Sequence, residues 1–171
     1  MSKLSFKTFC IEFYANHVGK TSPEVYAEFE KSGLLKELDD DYDDLHGMGM
    51  EALMQMFDEY LGRETATKTS TSTLRSAQTR RLPNSATSAV TRCRMCEHHL
   101  IRATVIPEVA RLIAERFDIS PDEALSRFYH SATAENLADE ENGLYGQSAR
   151  FIYSQFLEEE QTRNHNQEIC R

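Results

Sequence analysis

The sequence predicts an all-α protein made of two related small helical units joined by a flexible linker. Three observations point there. Turn-forming residues are scarce, with 7 Gly and 4 Pro in 171 residues, whereas an all-β design needs turn residues every few positions. Apolar residues recur at helical spacing towards both ends of the chain. The net charge of −9 is also uneven: residues 1–62 carry −8, residues 63–102 carry +6 and residues 103–171 carry −7. Acidic ends around a basic middle mark a boundary.

In the first unit, Phe6, Phe9, Cys10, Phe13 and Tyr14 form an i, i+3, i+4, i+7, i+8 stripe, the signature of an amphipathic helix. After the break at "GKTS", Ser22 is the expected N-cap, with Pro23 in the first turn and Glu24 at the positive end of the helix dipole. Val25, Tyr26 and Phe29 supply its apolar face, and Gly33 is placed to end it. "LLKELDDDYDDLH" reads as a short helix running into an acidic loop. Met50, Leu53, Met54, Phe57, Tyr60 and Leu61 then repeat the helical spacing up to Gly62.

Residues 63–95 are expected to be a flexible basic linker. Residues 63–92 are rich in Ser, Thr and Arg and hold no aromatic, so they bury too little apolar area to offset ordering costs of roughly 1–2 kcal/mol per residue. The second unit is assigned to residues 96–160. Ile106, Val109, Ile113 and Phe117 form its first stripe, with regular helix expected from about Pro107. Ser120, Pro121 and Glu123 make a Ser-x-x-Glu helix start. Ala124, Leu125 and Phe128 face inward, and Ser148 caps a last helix that buries Phe151, Ile152 and Phe156. The chain from Glu158, including a tail at 161–171, is polar and expected to fray.

The two units share a pattern. A gapless shift of 99 positions lays residues 26–60 on 125–159 with eight identities, among them Phe29 on Phe128, Leu38 on Leu137, Gly47 on Gly146 and Phe57 on Phe156. Both halves resemble a family of short, all-helical bacterial proteins of unknown function. In the first half the resemblance rests on "FCIEFYANHVGKTSPEVYAEFEKSGLLKEL", "LHGMG" and "MFDEYL". In the second it rests on "IPEVARLIAERFDISPDEALSRFYHS", "LYGQS" and "FIYSQF". The first half departs from the family pattern at His46-Gly47-Met48-Gly49, where a Thr-containing turn is expected. The resemblance implies an accessory or antitoxin-like role beside ADP-ribosyltransferase-like proteins.

Chemistry-bearing motifs are few. "CRMCEHH" sets Cys93 and Cys96 at C-x-x-C spacing beside His98 and His99, but zinc needs four N/S ligands and the remote groups are His165 and Cys170 in the polar tail. The acidic run Asp39 to Asp44 lacks the glycine that a calcium loop requires at its sixth position. No phosphate loop, Gly-x-Ser-x-Gly or HExxH occurs. No apolar run reaches the length of a membrane span, and no signal peptide is evident, so the cytoplasm is expected.

The residues therefore point to a non-enzymatic protein-interaction module with no metal or cofactor. Its expected partner is a protein, the ADP-ribosyltransferase-like class being the one the resemblance implies. The expected partner-binding residues are Tyr42 and His46 in the first unit and Tyr145 in the second, beside the shared Leu-x-Gly turn. The alternative is a nucleic-acid-associated regulator using the basic linker, which is disfavoured because no aromatic interleaves the arginines for base stacking.

Overall fold

The computed structural model describes the backbone of residues 2–63 and 86–169, and the side chains of residues 2–63 and 98–163. All regular structure among the described residues is helical, as expected. The first half comprises α1 (Lys3–Val18), α2 (Ser22–Ser32), α3 (Leu34–Asp40), α4 (Tyr42–Leu45) and α5 (Met50–Tyr60). The second comprises α6 (Ala86–Phe117), α7 (Pro121–Tyr129), α8 (Ala132–Ala138), two 3-10 turns (Glu140–Asn142 and Leu144–Gly146) and α9 (Ala149–Ile169).

Local chemistry sets most boundaries. Gly19 ends α1 in the left-handed region (φ 68), which a glycine enters without a Cβ clash. The N-cap of α2 is Thr21 rather than the expected Ser22. Its backbone N–H donates to the Glu24 carboxylate at 3.0 Å, while the Ser22 hydroxyl turns inward to Glu12. Ser120 caps α7 as anticipated, accepting from the Glu123 N–H at 3.2 Å. Gly33 and Gly62 stand at positive φ after α2 and α5.

Two helices run beyond the sequence expectation. The helix expected from about Pro107 instead passes through that proline, its backbone being helical from Ala86 and so already within the span read as linker. Proline removes one N–H from the ladder, but Ile106, Val109, Ala110 and Ile113 around it are fully buried, and that packing holds the helix. The tail expected to fray from Glu158 continues as α9, where Arg163 pairs with Glu159 at 2.7 Å and Glu160 at 2.9 Å. Residues 64–85 of the expected linker lie outside the described residues. Its first residue, Arg63, is anchored on Tyr14 and Glu28.

The two halves share one apolar core. In the first, Tyr14, Phe29 and Phe57 meet ring to ring, with centroids 5.3–5.6 Å apart. The shift of 99 carries buried residues onto buried residues: Cys10 onto Val109, Tyr14 onto Ile113, Phe29 onto Phe128, Leu38 onto Leu137 and Phe57 onto Phe156. It also carries Gly19 onto Asp118, the one non-glycine at positive φ among the described residues (φ 53). The most extensive helix packing is between α1 and α6, across the halves. As a result α1 is enclosed on nearly all sides, with Lys7, Thr8 and Glu12 buried beside Cys10, Ile11 and Tyr14.

Candidate functional site

Three groups of polar and aromatic side chains stand out. The first is a buried cluster where the halves meet. Glu12 of α1 is fully buried. Its Oε2 accepts from the Ser22 hydroxyl and from Arg102 Nε, each at 2.8 Å, and its Oε1 accepts from the Tyr129 hydroxyl at 3.3 Å. Arg102 NH2 donates to His99 Nδ1 at 2.7 Å. A guanidinium can only donate, so Nδ1 is the acceptor and the ring proton sits on Nε2. Burial, then the Glu12 charge and hydrogen bond, push the Tyr129 hydroxyl well above its ordinary 10.0. Arg102 NH1 has no hydrogen-bond partner. The crevice beside the cluster, lined also by Ile106, Phe128 and Leu137, has no room for a water molecule. It therefore offers a substrate no place to bind.

The second group ties α1, α2 and α5 together in the first half. The Tyr14 hydroxyl donates to Asp58 Oδ1 at 2.7 Å and accepts from Arg63 NH1 at 2.9 Å. His17 Nε2 lies 2.9 Å from Asp58 Oδ2, and Arg63 NH2 donates to Glu28 at 2.6 Å. A carboxylate orienting a half-exposed histidine has the geometry of a general base. The neighbouring Tyr14 hydroxyl is held protonated, however: burial and the hydrogen bond to Asp58 push it up to about 12. Cys10 is inert for a similar reason, burial pushing its thiol up to about 12. In the second half the shift of 99 finds Ile113, Arg116 and Leu157 in place of Tyr14, His17 and Asp58.

The third group holds the residues singled out by the sequence. Tyr42 stacks on His46 with centroids 4.7 Å and planes 8° apart, and meets Phe6 edge-on at 5.5 Å. Tyr42 is half-buried and His46 exposed, with His46 Nδ1 2.8 Å from the Tyr42 carbonyl. Tyr145, also half-buried, packs instead on His98 of α6, with centroids 4.0 Å apart. The structure thus joins two of the three expected residues and gives the third a different partner. Asp40, Asp41, Asp43 and Asp44, next to Tyr42 and His46 along the chain, are all exposed. The side chains of Cys93, Cys96, His165 and Cys170 lie outside the described residues. Among the described residues no cluster of three or more His, Cys, Asp or Glu could hold a metal ion, and no helix is long and apolar enough to cross a membrane.

Residues 5–63 match the model of a family described as "Protein of unknown function (DUF3791)". The match covers helices α1 to α5, from the first core residues to the Arg63 anchor. No curated protein and no solved structure matches the chain.

The titratable groups of the two halves set a pH window. Partial burial pushes the Asp58 and Glu28 carboxyls up. For Asp58, hydrogen bonds and charge from His17, Tyr14 and Arg63 outweigh that and hold it below its ordinary 3.8. Lys20 and Arg63 likewise hold Glu28 below its ordinary 4.5. In the second half Glu159 is lowered in the same way, burial being outweighed by the Ala132 and Thr133 N–H groups, the Thr133 hydroxyl and Arg163. Groups with lowered values give stability that is present above their ordinary values and lost as pH falls through the folded ones. Tyr14, raised from 10.0, and Cys10, raised from 9.0, act oppositely: their contribution is present below those ordinary values and lost as pH rises through about 12, and Tyr129, raised well above 10.0, acts in the same direction. Melting temperature is therefore expected to be flat between about pH 5 and 9 and to fall on both sides. Thermal melts followed by circular dichroism across that range check it, and a stability maximum in acid would contradict it.

Proposed function

We propose that this chain is a non-enzymatic protein-interaction module, built from two copies of one helical unit and acting in the cytoplasm on a protein partner with a basic surface. The observation that carries the reading is the exposed acidic helix α4, which presents the stacked Tyr42–His46 pair. Acidic charge around an aromatic anchor suits steered encounter followed by desolvation of the ring. Both buried and half-buried carboxylate–histidine groupings are engaged in holding helices together, which supports a binding role over catalysis. The tandem reading is supported by the buried pairs related by the shift of 99 and by the equivalent turns at Gly19 and Asp118. The resemblance to proteins encoded near ADP-ribosyltransferase-like enzymes makes such enzymes the first partners to try, with an antitoxin-like or accessory role.

Titration calorimetry against neighbour-encoded transferase-like proteins tests this. Binding is expected at low ionic strength and should weaken as salt rises. Tyr145→Ala should weaken it about tenfold, the loss of more than 1 kcal/mol that marks a hot-spot residue. Circular dichroism should show the helix content intact. No binding at low salt would sink the proposal. Tight binding of a DNA fragment, lost in Arg80→Ala with Arg81→Ala, would favour the nucleic-acid reading instead.

A further inference from the structure

A crevice opens between α1, α2 and α3 of the first half and α7 of the second. It holds about 210 Å³ within reach of a water molecule, where a single water needs roughly 10–15 Å³. Lys7 lies at its floor, with the side chain only 5% exposed. The ammonium donates to Asp39 Oδ2 and, at 2.6 Å, to Asp122 Oδ1. An ammonium carries three N–H donors, and among the described residues no acceptor takes the third. Lys36 also lines the crevice, is exposed, and has no ion-pair partner among the described residues. Asp39 and Asp122 each keep a second carboxylate oxygen that accepts nothing among those residues. Tyr26, Leu35 and Leu125 form an apolar wall.

The related positions of the second half give a contrast. The shift of 99 lays Lys7, Leu35 and Asp39 on Ile106, Ala134 and Ala138. Those three line the crevice beside Glu12, which admits no water. Of two crevices lined from related positions, the apolar one is shut and the charged one is open to solvent.

We infer that the open crevice binds a small aliphatic α-amino acid as its zwitterion. Lys7 and Lys36 balance Asp39 and Asp122, so the lining carries no net charge, and each sign keeps hydrogen-bonding capacity that the protein leaves unused. A lone cation would meet the two ammoniums, and a lone anion would meet the two carboxylates. A zwitterion satisfies both signs. Its carboxylate accepts from Lys36 and from the third N–H of Lys7, and its ammonium donates to the unused oxygens of Asp39 and Asp122. Its side chain displaces water from Leu35, Leu125 and the Tyr26 ring. These groups come from both halves, so the ligand favours their joined state by mass action. The inference does not depend on any protein partner.

The test titrates the isotopically labelled full chain with L-leucine and follows the backbone amides by NMR. Two analogues run beside it: isocaproate, which lacks the amino group, and isoamylamine, which lacks the carboxylate. Leucine is expected to shift amides around the crevice saturably, with a Kd on the order of 1 mM, and to raise the melting temperature. Each analogue should bind about tenfold more weakly, through loss of charge-assisted hydrogen bonds. Lys36→Ala, at an exposed position and so close to neutral for folding, should weaken leucine about tenfold and leave isoamylamine unchanged. The inference is overturned if leucine moves no crevice amide near its solubility limit. It is equally overturned if either analogue binds as tightly as leucine, or if Lys36→Ala fails to separate leucine from isoamylamine.

Discussion

Arg102→Met is expected to destabilise the protein by about 3–5 kcal/mol, the range for breaking one side of a buried ion pair. The loss arises less from the missing attraction than from what is left behind. Glu12 is fully buried and would keep only the Ser22 and Tyr129 hydroxyls, with no positive charge beside it. His99 would also lose the donor on its Nδ1. Glu12→Leu together with Arg102→Met should recover most of the stability, because a buried pair exchanged for apolar groups of similar volume is often close to neutral. Urea denaturation of the single and double variants measures both. A single-variant loss below about 1 kcal/mol would mean that water reaches the cluster.

Phe57→Ala carries the second large effect, about 3–5 kcal/mol for a fully buried ring. Phe57 meets Tyr14 and Phe29 edge-on in the first half, and that cluster is continuous with Phe128 and Phe156 in the second. The damage should therefore spread across the halves: α7 and α8 should lose hydrogen-exchange protection together with α2, in one transition. If α7 and α8 kept full protection while α2 opened, the halves would be independent and the shared core would contribute little to their coupling.

The helices of this protein were readable from local patterns because the signals involved are local. A stripe at i, i+3 and i+4, an N-cap at Ser120 that accepts from the Glu123 N–H, and glycines after α2 and α5 act within a few residues of themselves. Phe29 and Phe128, which the shift of 99 lays on one another, are both buried. The cap falls on Thr21, one residue before Ser22, which is an equally good cap by type. Its hydroxyl was drawn away by Glu12, a residue ten positions back in the chain.

The buried cluster was not legible, and the reason is physical. Glu12 and Lys7 fall outside the apolar stripe of α1 and by sequence belong on a solvated face. That face is covered only because α6 lies against it, bringing Arg102 and Asp122 from the other half. A carboxylate in an isolated amphipathic helix gives no sign of a cation 90 residues away. Tyr145 shares the turn position of His46 in the sequence, yet His98 supplies its partner from α6. Short-range sterics and hydrogen bonding define the helices. The environment of a charge depends on which surfaces exclude water, and that is settled only when the two halves come together.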